Sequence, residues 1–315
     1  MPILAADLGG TTMKVGLVEK GYLLETTTLP AAPAQGLAHS LERLAGAFHE
    51  ICARLGLTIC NCQGVGLALA CHVDGPNCRV IRSVKGKYED AATVNLAGWA
   101  RDRLGLKLTL ETDSRAALLG EWRYGAGRGC DNLVMVTLGT AIGVAVLMQG
   151  TLLRGAHHQA GRGGHFIVNP GGRTCNCGGR GCVTAEASTW ALPRLARDHP
   201  GFSASGLALE PMLNYEAVFR LARRGDTVAQ AISERSLDVW SAMVVSLIHL
   251  SDPERVILGG GILHSADMII PHIQKRLEEW AWKPLGAVRI MLAHHLQFAA
   301  LLGVSSLVEQ NVAVL

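Results

Sequence analysis

The sequence has no basic stripe. Its 29 Lys and Arg against 26 Asp and Glu leave a net charge of only +3, scattered along the chain, whereas a nucleic-acid binder concentrates its basic residues. No apolar run reaches the length of a membrane span. The start, Met1-Pro2-Ile3-Leu4-Ala5-Ala6-Asp7, has no basic segment and meets an acid almost at once, unlike a secretory leader. Pro- or Ser-rich linkers and charged tails are also missing. A Gly-x-Gly-x-x-Gly fingerprint is absent from the first strand turn, which disfavours a dinucleotide site. The expectation is a cytoplasmic protein with no nucleic-acid partner and no membrane partner.

What remains is a globular composition. Hydrophobic residues make up 49% of the 315 positions and charged residues 17%, and that length suits two domains better than one core. The nine cysteines are an odd count and are not spaced like a small secreted scaffold. Cys52, Cys60, Cys62, Cys71, Cys78 and Cys130 lie among apolar or small residues and read as buried filler.

Ile3 to Val18 reads as strand, glycine turn, strand. Leu37 to Leu55 repeats apolar residues at helical spacing, and Gly64 to Ala70 is a short apolar run suited to a buried strand. Leu96 to Leu104 reads as a short helix, Leu106 to Leu110 as a strand ending at Glu111-Thr112-Asp113, and Ser114 to Trp122 as a helix. Val134 to Leu138, a small turn, and Val144 to Met148 then repeat the layout of the N-terminus. This weak duplication favours two related α/β domains. Tyr215 to Arg223 and Val228 to Leu250 read as helices, and Val256 to Leu258 as a strand. Ile270 to Trp280 and Ala299 to Val308 read as the closing helices.

Three glycine clusters follow apolar strands: Asp7-Leu8-Gly9-Gly10-Thr11-Thr12, Leu138-Gly139-Thr140-Ala141-Ile142-Gly143, and Gly259-Gly260-Gly261. Paired glycines let backbone approach a phosphate without Cβ atoms in the way. Thr11 and Thr12 add hydroxyls, and Asp7 is placed to hold Mg²⁺, usually through water. A Gly-Gly hairpin turn is the plainer reading of the first cluster, but it leaves the acid at the strand end unexplained. Asp113 stands where a strand gives way to a helix. It is placed either to cap that helix or to act as a general base.

His165, nine residues, Cys175, one residue, Cys177, four residues, Cys182 make a Cys₃His set inside eighteen positions. That set fits a closed tetrahedral zinc site of the structural kind.

Taken together and in order, these motifs resemble the ROK family of bacterial sugar kinases and sugar-responsive repressors, over nearly the whole chain. Asp7 to Thr11 resembles the family's first phosphate motif and Leu138 to Gly143 the second. Glu111-Thr112-Asp113 resembles its Glu-Asn-Asp segment. His165 with Cys175, Cys177 and Cys182 resembles its zinc signature, and Asp252-Pro253 with Val256 to Gly261 its adenosine motif. The resemblance implies an α/β fold of two RNase H-like lobes, in the actin-like, hexokinase-like ATPase class. The expected division is 1–113, joined by about 298–315, and 114–297 with a zinc loop at 165–182. It implies ATP, Mg²⁺ and structural zinc, Asp113 as base, and a homodimer, to which the apolar stretch Met243 to Leu250 either contributes or lends only core packing. The first phosphate motif begins at residue 7, so no repressor-type DNA-binding domain is expected ahead of it.

The sugar pocket departs from the family pattern. Thr112 stands where the family has Asn, and Arg162 and Thr184 stand where it has Glu. Ala141 replaces a glycine of the second turn. The sugar-binding set expected on this chain is Thr112, Asp113, Arg162, His165, Thr184 and Glu186, with Glu186 as a candidate substitute carboxylate. The expected activity is ATP-dependent phosphorylation of a hexose or N-acylhexosamine at a primary hydroxyl, as in glucokinase or N-acetylmannosamine kinase. The alternative is a catalytically weak sugar-sensing protein that keeps the fold.

Overall fold

Two stretches of the chain build two five-stranded sheets with the same order and the same strand directions. The structure, a computed structural model, describes residues 1–83, 86–282 and 286–313. It divides into two units, one of Met1–Gly129, Arg154–Ala160 and the segment from Gln297, the other of Cys130–Leu153 and Gly161–Leu296.

In the first unit, β1 (Ile3–Leu8), β2 (Thr12–Glu19), β3 (Tyr22–Pro30), β4 (Val65–Leu69) and β7 (Leu108–Thr112) form the sheet β3-β2-β1-β4-β7. β5 (His72–Asp74) and β6 (Arg79–Arg82) make a separate hairpin. The β1–β2 and β2–β3 pairs are antiparallel, while β1–β4 and β4–β7 are parallel. β4 is buried throughout, as expected where helices cover both faces of parallel strands. The helix Leu37–Arg54 contributes Leu41, Leu44, Phe48 and Ile51 to the core.

The expected boundary at residue 113 falls one helix short. The helix Asp113–Tyr124 belongs to the first unit because it crosses Ala299–Ala313 almost backbone to backbone. A Cβ added to Gly303 would stand 1.7 Å from the Ala116 carbonyl oxygen, so only glycine allows that crossing. The segment Arg154–Ala160 also belongs here, although its neighbours in sequence lie in the other unit.

In the second unit, β8 (Leu133–Leu138), β9 (Ile142–Met148), β10 (Thr151–Leu152), β11 (Arg255–Gly259) and β12 (Arg289–Leu292) run in the order β10-β9-β8-β11-β12. The β8–β9 and β9–β10 pairs are antiparallel, and β8–β11 and β11–β12 parallel. The helix Thr227–Ser251 is the spine of this core: Trp240, Met243, Val244, Leu247 and Ile248 are buried. The apolar residues of Met243 to Leu250 are therefore mainly core, and of them Leu250 alone is largely exposed, at 68%, beside the exposed Ser246 and His249. No helix among the described residues is long and apolar enough to cross a membrane.

Of the six cysteines read as filler, Cys52, Cys62, Cys71 and Cys130 are buried, Cys78 is half-buried and Cys60 is exposed. Cys60 lies in a short helical turn after Leu37–Arg54, outside the sheet.

Candidate active site and metal centre

In the first unit, Asp7 stands one residue before the end of β1, opposite Lys14 of β2. Its side chain is only 16% exposed, with Lys14 Nζ at 3.9 Å. Burial pushes its carboxyl up to about 6; Lys14 opposes that shift, and Asp113 adds to it. Asp7 and Asp113 therefore feel each other, as two acids at the ends of nearby strands. The turn after Asp7 closes with Gly9 N–H donating to the Thr12 carbonyl at 3.1 Å.

Asp113 is the first residue of its helix. The cap is Thr112, whose Oγ1 accepts from Arg115 N–H at 3.4 Å. This leaves the capping role expected of Asp113 to its neighbour. Asp113 Oδ1 accepts from Ser114 N–H at 2.7 Å and from Ser114 Oγ at 3.1 Å. Burial raises the Asp113 carboxyl above the usual carboxylate range, against the bonds from Ser114 and the charges of Lys87 and Lys14. A carboxylate raised in this way at a helix N-terminus suits proton abstraction.

Sequence reasoning misses the scaffold beneath Asp113. Glu111 is 1% exposed and pairs with Arg115 at 3.4 Å and Arg154 at 2.9 Å. Arg115 also donates to the carbonyls of Arg154, His158 and Ala160 at 3.4, 3.0 and 3.0 Å. The buried charges are thus paired and hydrogen-bonded on several sides, which such a group requires. The result holds the segment Arg154–Ala160 against β7, the strand that leads into Asp113.

In the second unit, the turn Gly139–Ala141 joins β8 to β9 and is tied from outside. Thr189 N–H donates to the Gly139 carbonyl and Trp190 N–H to the Thr140 carbonyl, both at 3.1 Å. Gly260 lies against the same place: a Cβ there would stand 2.3 Å from the Leu138 carbonyl oxygen, and its φ is +92°. The structure thus brings the glycines at 259–261 to the turn at 139–140. Gly164 packs on the start of β9, where its Cβ would meet the Ile142 carbonyl, so the loop carrying His165 abuts the same turn.

His165, Cys175, Cys177 and Cys182 converge, with one ligand atom from each lying within 4.8 Å of all the others. Cys177 Sγ and Cys182 Sγ are 3.7 Å apart, and so are Cys175 Sγ and His165 Nδ1. A tetrahedral zinc with bonds of about 2.3 Å to sulfur and about 2.0 Å to nitrogen separates its ligands by about 3.5–3.8 Å, so the donor set fits the ion. Burial, then the Arg162 charge, lowers the His165 imidazole and favours the neutral form that ligates metals. Burial, then the bond with Cys177, pushes the Cys182 thiol up to about 12, a cost that a divalent cation would remove.

Three expected sugar residues have other positions or partners. Thr184 is buried, and its Oγ1 accepts from Ile142 N–H at 3.4 Å; it supports the turn into β9. Glu186 is 0% exposed, accepts from Arg173 N–H at 2.7 Å, and is ion-paired with Arg235 and Arg173. Glu186 therefore anchors the cysteine loop and is not a free substitute carboxylate. Arg162 is exposed, in the turn just before His165.

Two units with matching mixed sheets, the first bearing an acid and a glycine turn after its first strand, define the actin-like, hexokinase-like ATPase class. The ROK family model matches residues 3–311. The chain belongs to the ROK family. It is 31% identical to a glucokinase of Thermotoga maritima, across 99% of this chain and 98% of that protein. It is 28% identical to an N-acetylmannosamine kinase of Yersinia pestis, across 95% and 96%. The crystal structure of a ROK family glucokinase from Streptomyces griseus, in complex with glucose and AMPPNP, superposes with a TM-score of 0.84 at 27% identity. That match covers 98% of this chain and 100% of the other.

Proposed function

We propose that this chain transfers the terminal phosphoryl group of ATP to the primary hydroxyl of a hexose or an N-acylated hexosamine. The observation that carries the reading is Asp113: a half-buried carboxylate at the first turn of a helix, raised above the usual carboxylate range and set in the same unit as Asp7 and the Gly9-Gly10-Thr11 turn. Asp113 takes the proton from the sugar hydroxyl as that oxygen bonds to the terminal phosphorus. The bond from phosphorus to the bridging oxygen breaks with its electron pair leaving on ADP. The products are ADP and a sugar phosphate.

In the first unit the backbone at Gly9, Gly10, Thr11 and Thr12 is suited to phosphate oxygens; within the second unit the same holds of Gly139 and Thr140. Gly259, Gly260 and Gly261 receive the nucleotide beside the second turn. Positioning and charge neutralisation carry most of such a transfer. Mg²⁺, when bound, supplies positive charge to the phosphates, and Asp7 is the residue to orient its waters. His165, Cys175, Cys177 and Cys182 hold a closed zinc, which shapes the loop rather than reacting. Thr112 in the first unit, and Arg162 and His165 in the second, are the remaining candidates for contacts to the sugar. The reading includes a cytoplasmic homodimer, as the family suggests.

An ATP-consumption screen over a broad sugar panel tests the proposal. ADP release that depends on a particular sugar, and disappears in Asp113→Asn, is expected. Release that no sugar stimulates overturns it.

A further inference from the structure

Lys87 is held over the first glycine turn. A Cβ added to Gly10 would stand 2.4 Å from Lys87 Nζ and 3.0 Å from its Cε. The ammonium therefore occupies the space that the missing side chain of Gly10 leaves open.

The backbone that delivers it is built for the purpose. The next residue, Tyr88, is buried and has a φ of +50°, a left-handed conformation that a bulky residue rarely adopts and that costs energy. Its hydroxyl donates to the Gly9 carbonyl at 3.0 Å, and its N–H donates to the Pro33 carbonyl at 2.8 Å. The strained residue thus ties Lys87 to the turn by a bond to the turn itself.

The acids next in sequence are committed elsewhere. Glu89 accepts from Gly86 N–H at 2.9 Å, and Asp90 accepts from Leu37 and Ala38 N–H at 2.6 and 3.0 Å. Lys87 is half-buried, and a lysine held above a glycine turn is suited to a phosphate oxygen. Its charge also reaches Asp113, whose carboxyl it draws downward, so the cation sits near the group assigned to the attacking hydroxyl.

We propose that Lys87 is a further catalytic residue, whose ammonium contacts the terminal phosphate of the nucleoside triphosphate during transfer. The inference rests on the reading of Gly9-Gly10-Thr11 as a phosphate turn. Lys87 supplies to that turn the positive side chain that its glycines and threonines lack.

Nucleotide binding to the full chain tests this without knowledge of the sugar. Affinities of the wild type, Lys87→Ala and Lys87→Arg are measured for AMPPNP and for ADP, each with Mg²⁺. Loss of one charge-assisted contact should weaken AMPPNP about tenfold or more in Lys87→Ala. ADP should change less than about twofold, and Lys87→Arg should recover most of the loss. Thermal melts confirm that the variants fold, and a purely structural role would weaken both nucleotides together. Equal weakening of both, or no change in either, overturns the role of Lys87 while leaving the kinase reading intact. A wild type that binds neither nucleotide overturns the phosphate turn, and Lys87 falls with it.

Discussion

Thr184 and Ile142 are joined by a hydrogen bond across 42 residues: the buried hydroxyl accepts from the backbone N–H at 3.4 Å. That N–H opens β9, immediately after the turn at Gly139–Ala141. A residue expected in the sugar pocket is therefore fastened to the turn proposed to receive phosphate. Thr184→Val keeps the shape and removes the acceptor, leaving a buried N–H unsatisfied at a cost of about 1–3 kcal/mol. The expected outcome is a melting temperature lower by a few degrees and a KM for ATP that rises more than the KM for sugar. A rise confined to the sugar would return Thr184 to the sugar pocket.

Asp113→Asn keeps the volume and removes the base. Turnover should fall by about 10²–10⁴-fold, with sugar affinity by calorimetry largely kept. The pH profile gives an independent reading. Only the carboxylate form accepts the proton, so activity is full above the Asp113 titration and falls as pH drops through it. Burial raises that titration, so the acid limb of kcat/KM should lie above the value of about 4 of an exposed aspartate. An acid limb at or below that value, or near-normal turnover in the variant, would mean that another group is the base.

The cysteine cluster should purify with close to one zinc per chain, by elemental analysis. Cys177→Ser should lose most of it, and a strong chelator should lower the melting temperature of the wild type, because a structural zinc contributes directly to folding. Glu186 gives a second check. It anchors the same loop through the partly exposed Arg173 and Arg235, so Glu186→Gln should destabilise the protein by about 1–3 kcal/mol, the scale of a lost hydrogen bond at a buried group. Folded, active protein with no metal would dismiss the zinc.

Local patterns make most of this fold legible in the sequence. The glycine turns follow short apolar strands, and Leu37–Arg54 and Tyr215–Arg223 carry helical periodicity that survives intact in the structure. β3 escapes because Glu25 and Thr26 to Thr28 interrupt its apolar run and none of its residues is buried at the sheet edge, and β5 is only three residues long. What lies outside local pattern is long-range charge. Glu111 and Arg115 are four apart, but a strand ends and a helix begins between them, so no helical-face rule pairs them. Arg154 reaches Glu111 from 43 residues away, and Arg235 reaches Glu186 from 49 residues away. Spacing from the zinc cysteines makes Glu186 look available for sugar, and only its distant arginines show that it is taken.

The same arginines sharpen the question of substrate. The family pattern places carboxylates at positions 162 and 184, where they accept bonds from sugar hydroxyls; here those positions hold Arg162 and Thr184. A carboxylate accepts bonds at two oxygens, a threonine offers one hydroxyl, and the Thr184 hydroxyl already serves Ile142. Glu186 is committed to Arg173 and Arg235. On the proposed reading, the vicinal hydroxyls of glucose then lose both of their expected acceptors. Arg162 offers only donors and a fixed positive charge, and it is exposed. That chemistry suits a carboxylate, a phosphate or an amide oxygen on the sugar. Pockets built around polar contacts discriminate strongly once the pairing changes. We therefore expect N-acetylmannosamine or an acidic hexose to exceed glucose in kcat/KM, and Arg162→Ala to erase that preference while sparing nucleotide binding. If glucose wins by about tenfold or more, a span within what small changes in a pocket achieve, then the departures at 162 and 184 rearrange the same glucose site and Arg162 takes no part in choosing the sugar.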